Sequence, residues 1–395
     1  MRILIAPDKF KGALSAREAA DNIAAGLREV LPDAKIDIVP MADGGEGTAE
    51  VISQALGASW LNCKAHDPLG RQIEARYAWA DNHPPSPRLR RDWRKLAVME
   101  MSEAAGMRRL QPGERNVDLA GTFGVGEMIS DAARRGGQQI IIGLGGSATN
   151  DGGLGMARAL GFRFFDKDNT EIEKSVDLVA LERIQKPNKL AFPKIIAAAD
   201  VRNPLLGENG ATRVFGPQKG VMPDQIDKFE RALTRLADVV AEQFECDYRD
   251  EPGAGAAGGL GFGLMSFCGA KIRPGFDVVA KSVGLESKMK DVDFVITGEG
   301  SLDRQTLEGK TAAGVARLAR KLGKRVFAMV GRATDDADVR RLFDGVYQNA
   351  RSGMSQEENM KKAAELVREN ARVFAKQALQ FLTQSGFHFA RGERK

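Results

Sequence analysis

Cysteine, histidine, tyrosine and tryptophan are scarce: the 395-residue chain carries three of each. Cys63, Cys246 and Cys268 lie far apart, with no CxxC or mixed Cys/His spacing. That argues against a disulfide framework or a structural zinc site and suggests a reducing, cytoplasmic setting. His66, His83 and His388 have no acid–base partner in their sequence neighbourhoods, so packing or surface roles are expected of them. No GxSxG turn is present, which argues against Ser-His-Asp hydrolysis. No run approaches the roughly 18 apolar residues of a membrane span. The apolar N-terminal run meets Asp8 and Lys9 too early for the core of a signal peptide. The net charge of +5 is concentrated in the Pro/Arg loop at 82–95 and in the tail at 391–395, which leaves no broad basic surface for nucleic acid. Gly309-Lys310-Thr311 resembles the end of a Walker A loop, but Arg304 stands where that motif requires glycine. Gly253-Ala-Gly255-Ala-Ala-Gly258 fits GxGxxG, yet a charged, proline-broken segment precedes it instead of a buried strand.

Glycine, in contrast, is plentiful, at 44 of 395 residues against an average of roughly 7 %. The densest stretch is Gly143-Leu-Gly-Gly-Ser-Ala-Thr-Asn-Asp-Gly-Gly153, between the apolar run 139–142 and a helix-like segment from Leu154. Apolar run, glycine loop and helix form a strand–loop–helix unit in which backbone N–H groups can approach an anion. Ser147, Thr149, Asn150 and Asp151 add hydroxyl, amide and carboxylate groups to it.

The strand–helix alternation recurs. Residues 2–6 form a strand, 15–31 a helix opened by a Ser15/Glu18 capping box, and 36–39 a second strand. Further strands are expected at 139–142, 194–198, 294–297 and 326–330, with helices at 125–135, 224–244, 312–322 and 356–382. The segments 73–80 and 96–101 suggest a hairpin closed by the Pro/Arg loop, and 201–275 breaks the rhythm. The expected architecture is α/β: a Rossmann-like parallel-sheet domain (1–58, 117–200 and 284–395) interrupted by a second, smaller α/β domain (59–116 and 201–283), with a cleft between them.

Five strand ends lead into polar, glycine-bearing segments: 6–12, 40–48, 143–153, 199–204 and 298–306. Ligands bind at such ends in open α/β sheets. They carry Asp8, Asp43, Glu46, Asp151, Asp200, Glu299 and Asp303, with Lys9, Lys11, Arg202 and Lys310 as counter-charges. Carboxylates without clustered His or Cys suit Mg2+, and Mg2+ accompanies a nucleoside triphosphate, so phosphoryl transfer is the expected chemistry. In that scheme Gly145, Gly146, Ser147, Thr149 and Asn150 bind an anionic group, and Lys11 and Lys310 offset phosphate charge. Two of Asp43, Glu46, Glu299 and Asp303 hold the metal. Asp200 is the preferred base, with Asp8 and Asp151 as rivals. An NAD(P)-linked oxidoreductase of a small hydroxy acid and a non-catalytic small-anion-binding protein remain as alternatives.

The same segments resemble the glycerate kinase type 1 family. The likeness runs through Ala6-Pro-Asp-Lys-Phe-Lys-Gly12, Met41-Ala-Asp-Gly-Gly-Glu-Gly-Thr48, Asp67-Pro-Leu-Gly70, Glu100-Met-Ser-Glu-Ala-Ala-Gly106 and Gly145–Gly153. It continues through Asn203-Pro-Leu205, Val214-Phe-Gly-Pro-Gln-Lys-Gly220, 252–261 and Gly298-Glu-Gly-Ser-Leu-Asp303. Two features depart from the family pattern: Lys9 replaces a common serine, and the loop around 82–95 looks like an insertion. The resemblance implies an ATP- and Mg2+-dependent kinase of D-glycerate, forming 2-phosphoglycerate, with Asn203 among the binding residues. Small molecules are the expected partners, and a homodimer is one possible assembly.

Overall fold

The computed structural model describes residues 1–81, 95–188, 192–308, 310–351 and 353–384. The Pro/Arg loop with His83, Gly309 and the basic tail with His388 lie outside the described residues. The chain forms two compact units, a split unit of Met1–Ala42 with Gly284–Lys395 and an inserted unit of Asp43–Val283.

The split unit is built on a five-stranded, wholly parallel sheet in the order Gly345–Gln348, Arg325–Ala333, Phe294–Leu302, Arg2–Ile5, Lys35–Ile38. Ile3, Leu4 and Ile5 are fully buried, as expected of a central parallel strand covered on both faces. Ile3 and Ile5 face the helices Ala16–Val30 and Ala363–Gln384, where Ile23, Leu27, Val367 and Phe374 complete one core. The helix Thr311–Lys321 also packs on this sheet, through Ala312, Val315 and Ala316. The Ser15/Glu18 capping box starts the first helix, with both reciprocal bonds present. The long C-terminal helix expected over 356–382 is two helices, Gln356–Lys361 and Ala363–Gln384, separated at Lys362.

The inserted unit holds a six-stranded sheet in the order Lys271–Pro274, Lys194–Ala199, Gln139–Gly143, Lys95–Glu100, Gln72–Asp81, Ser59–His66. The first four strands are mutually parallel; Gln72–Asp81 joins Lys95–Glu100 antiparallel as the expected hairpin, and Ser59–His66 adds to it antiparallel at the edge. Ile140 and Ile142 point into a large core shared with Phe162, Leu233, Leu236 and Phe262.

The expected division differs from this in two respects. The expected division places strands Gln139–Gly143 and Lys194–Ala199 in the domain containing Met1, but they hydrogen-bond within the inserted sheet, between Lys95–Glu100 and Lys271–Pro274. A βαβ rhythm reveals parallel pairing without saying which of two parallel sheets a strand joins. The interruption is therefore single and contiguous, and the inserted unit is the larger one.

Candidate active site

In the split unit, strands Arg2–Ile5 and Phe294–Leu302 are parallel neighbours, and the second runs on past the end of the first. The pairing continues past the first strand, with Asp8 N donating to Gly298 O at 2.8 Å. That continuation sets Asp8 beside Glu299. Asp8 is buried, and its Oδ2 accepts from the Thr311 hydroxyl at 2.5 Å, on the first residue of the helix Thr311–Lys321. Its Oδ1 accepts from Lys9 N at 2.6 Å and lies 3.9 Å from Lys9 Nζ. Glu299 accepts from the buried Thr306 hydroxyl at 3.0 Å. Lys310 Nζ is 3.6 Å from Asp303 Oδ1. Burial pushes the Glu299 carboxyl up to about 7, with Asp8 and Asp303 adding to the rise and the Thr306 hydroxyl and Lys310 opposing it. Asp8, Glu299, Asp303 and Lys310 thus form one electrostatic cluster at the carboxyl edge of a parallel sheet. Lys11 is exposed on the segment that follows, its backbone close to Gly300.

The inserted unit gathers a second set of strand ends. Leu144 N donates to Ala198 O at 3.0 Å and Gly145 N to Gly44 O at 3.4 Å. The segment containing Asp43 therefore meets the glycine loop and the strand that ends before Asp200. Asp43 Oδ1 accepts from Gly45 N at 3.0 Å. Glu46 is exposed, 3.7 Å from Arg108 Nη1. Asp200 is exposed directly after the strand Lys194–Ala199. Asn203 donates to Asn209 O at 2.8 Å.

Within the glycine loop the side chains divide sharply. Gly146 is exposed with φ at +75°, and Gly145 is half-buried. Ser147 is nearly covered, while Thr149 and Asn150 have no exposure at all. Asp151 turns inward and accepts from Thr122 N and the Thr122 hydroxyl, both at 2.8 Å, and from Gly153 N and Gly155 N, both at 3.1 Å. Both its oxygens are engaged in tying the loop to the start of the next helix. The surface the loop offers a ligand is therefore the backbone at Gly145–Ser147. The segment at 253–258 lies beneath this loop. Gly258 O accepts from Gly152 N at 3.0 Å, and a Cβ on Gly258 would fall 1.9 Å from Thr149 O. It follows a turn instead of a strand, so it lacks the context of a dinucleotide fingerprint.

Other participants were not singled out by sequence reasoning. Lys219 is buried, and its ammonium donates to Thr149 O at 2.8 Å. Burial pulls it down to about 7, opposed by the Asp151 carboxylate. Glu100, raised by burial, accepts from Gly47 N at 2.9 Å and Ala49 N at 3.0 Å, fixing the helix Thr48–Leu56 behind Asp43. Glu103 pairs with Arg108 at 2.6 Å and Arg109 at 2.9 Å. A lysine among helical residues carries no local mark of burial, and only the stretch 214–220 drew attention to its neighbourhood.

Of the residues expected to act, Asp8, Glu299, Asp303 and Lys310 come together in one unit. Asp43, Glu46, the loop 145–151, Asp200 and Asn203 belong to the other. Among the described residues no group of three or more His, Cys, Asp or Glu side chains is arranged to hold a metal ion. No described helix is long and apolar enough to cross a membrane.

Comparison with known proteins covers nearly the whole chain. A family model described as the glycerate kinase family matches residues 3–379. A glycerate kinase from Halalkalibacterium halodurans is 38 % identical over 379 residues, covering 94 % of this chain and 97 % of the relative. A glycerate 2-kinase from Escherichia coli K12 is 40 % identical over 349 residues, covering 86 % and 87 %. A crystal structure from Salmonella typhimurium LT2, provisionally described as glycerate kinase 2, superposes with a TM-score of 0.83 at 38 % identity, covering 97 % of this chain and 99 % of that one.

Proposed function

The chain belongs to the glycerate kinase family, and from that premise we propose that it transfers the γ-phosphoryl group of ATP to the 2-hydroxyl of D-glycerate, releasing ADP and 2-phosphoglycerate. Membership makes it an ATP-dependent kinase of a glycerate alcohol group. The choice of the 2-position is supported by the E. coli relative, which is named a 2-kinase and is 40 % identical.

The observation that carries the site assignment is the cluster of Asp8, Glu299, Asp303 and Lys310 at the carboxyl edge of the five-stranded sheet. Lys310 is the N-cap residue of a helix, where both its ammonium and the helix dipole favour a phosphate. Glu299 and Asp303 would supply the one or two hard oxygen ligands that Mg2+ takes from protein when it arrives on a triphosphate. Bound there, the ion would neutralise charge on the β- and γ-phosphates. Glu46, engaged with Arg108, and Asp43, engaged with Gly45, are the weaker candidates for that role. Lys11 is an exposed cation beside the same cluster, free of the burial that holds Lys219.

In the inserted unit, the Gly145–Ser147 backbone receives a carboxylate or phosphate oxygen, and Asn203 contributes an amide nearby in sequence to Asp200. Asp200 accepts the proton of the attacking hydroxyl. The hydroxyl oxygen bonds to the γ-phosphorus as the bond to the β-γ bridging oxygen breaks, and ADP leaves. Asp200 suits the base role because it is exposed at a strand end, whereas Asp151 is buried.

Coupled assay of ADP release should show strict dependence on D-glycerate, and phosphorus NMR of the product should give the 2-phosphate signal. A 3-phosphate product would refute the regiochemistry. Asp200→Asn should lower kcat by about 10²- to 10⁴-fold. Turnover within a few-fold of wild type would remove Asp200 from the base role.

A further inference from the structure

Lys219 ends the helix Ala211–Lys219 and is only 3 % exposed. Its ammonium has three N–H donors, and one of them reaches Thr149 O at 2.8 Å. Asp151 acts on it by charge alone, without a hydrogen bond. An ammonium buried with so little in place of its lost water destabilises the fold. The reading of Gly145–Ser147 as an anion-receiving backbone, on which this inference rests, supplies a reason for keeping it.

The glycine loop 143–153 contains one ionisable residue, Asp151, and no lysine or arginine. Asp151 is buried, and its hydrogen bonds come from neutral donors on Thr122, Gly153 and Gly155. Alone, the loop would meet an incoming anion with a like charge behind its backbone. Lys219 brings the opposite charge from a distant part of the chain. Thr149, which it touches, is three residues from Gly146, at most about 11 Å of chain. Two unit charges about that far apart, at an effective dielectric of about 20, attract enough to change affinity roughly 10-fold. We propose that Lys219 is a positioning residue of this loop: its buried ammonium holds the Thr149 carbonyl and offsets the Asp151 charge, so that Gly145–Ser147 binds an anionic oxygen. The glycerate carboxylate and a phosphate of ATP share that chemistry. Lys219 itself touches the loop and takes no part in bond making.

Burial brings Lys219 to about 7, so raising the pH through that value removes the ammonium and weakens anion binding. The helix Ala256–Cys268, packed against that of Lys219, has the Cys268 thiol as its titratable group, pushed up to about 12 by burial. On the neighbouring helix Ile226–Phe244, Asp227 is 3.1 Å from Arg213, Lys228 is 3.8 Å from Asp118, and Glu230 accepts from Gly207 N at 3.0 Å. Arg115 approaches from the segment before Thr122 and donates to Gln218 O at 3.3 Å. Of these surrounding charges, Asp151 is the one that acts on Lys219.

Steady-state kinetics of the full chain at pH 6 and pH 9, with Lys219→Met and Lys219→Gln, test the proposal. Glutamine keeps an N–H for the Thr149 carbonyl and carries no charge. At pH 6 both substitutions should raise one KM roughly 10-fold, with kcat changed less and a cooperative urea transition retained. By pH 9 the difference from wild type should close. A rise in KM for D-glycerate places the substrate carboxylate on the loop, and a rise in KM for ATP places a phosphate there. Unchanged KM for both substrates, a rise in Lys219→Met alone, a difference that persists undiminished at pH 9, or loss of cooperative unfolding in both variants would overturn the proposal. Glycerate-dependent ADP release by the unmutated chain reads the kinase reaction itself, so its failure is told apart from a failure of the Lys219 role.

Discussion

Lys219 illustrates how a single side chain reports on the loop above it. A lysine in the unfolded chain titrates near 10.5, while burial brings this one to about 7 in the fold. Between those values the unfolded chain binds a proton that the folded chain does not, so stability rises with pH across that window. Below about pH 7 both states are charged, and the cost of burying the ammonium is fully present. The urea midpoint should therefore increase from pH 7 to pH 10, and Lys219→Met should flatten that slope, a difference on the order of a few kcal/mol. Asp151 supports the same loop from its other end. Replacing it with alanine strands the Thr122 and glycine donors, and denaturant unfolding should show a loss of about 3 kcal/mol or more. Asp200, the proposed base, offers the contrast: its substitution is expected to show chiefly in turnover, that of Asp151 chiefly in stability.

At the scale of elements, the inserted unit's glycine loop is a stack of backbones in which side chains have no room. Gly258 sits at φ +68° against the Thr149 carbonyl. Gly258→Ala combines left-handed strain with a backbone clash that no rotamer can relieve. A drop of more than about 3 kcal/mol is expected, visible as a lowered thermal midpoint. This contact also explains what was legible in the sequence. The strand–loop–helix at 139–159, the capping box at Ser15 and the hairpin strands carry local signals, and each stands where periodicity and turn chemistry put it. The separation of loop residues into an exposed Gly145–Gly146 and a buried Thr149–Asp151 carries none. It depends on Gly258, Thr122 and Lys219, which arrive from distant parts of the chain. Nor does a run of small polar residues declare which of its members face inward.

For the whole molecule, the division of the chain is set by which strands hydrogen-bond. The alternation of strands and helices sufficed for the fold class. It could not distribute parallel strands between two sheets, because both sheets draw on the same apolar, β-branched vocabulary. The carboxyl-edge position of Asp8 and Asp200 was legible for the same reason, since it requires only that each follow a strand, whereas Glu299 lies within a strand that runs on to Leu302. A contiguous insertion with its own core should fold without the rest of the chain. A fragment of residues 43–283 should show near-UV circular dichroism and a cooperative urea transition. A non-cooperative transition would show that its core needs the split unit.

The split sheet also imposes an order on biosynthesis. Strand Arg2–Ile5 pairs with Phe294–Leu302, and Arg2 N donates to an Asp293 oxygen 291 positions away. At the ribosome, roughly 5–20 residues are added per second. The nascent N-terminal strand, with its greasy Ile3-Leu-Ile5, therefore waits on the order of 15–60 s for that neighbour. During that interval the inserted unit can complete its own sheet, so Arg2–Ile5, paired early with Lys35–Ile38, gains its second neighbour only after about 290 further residues are made.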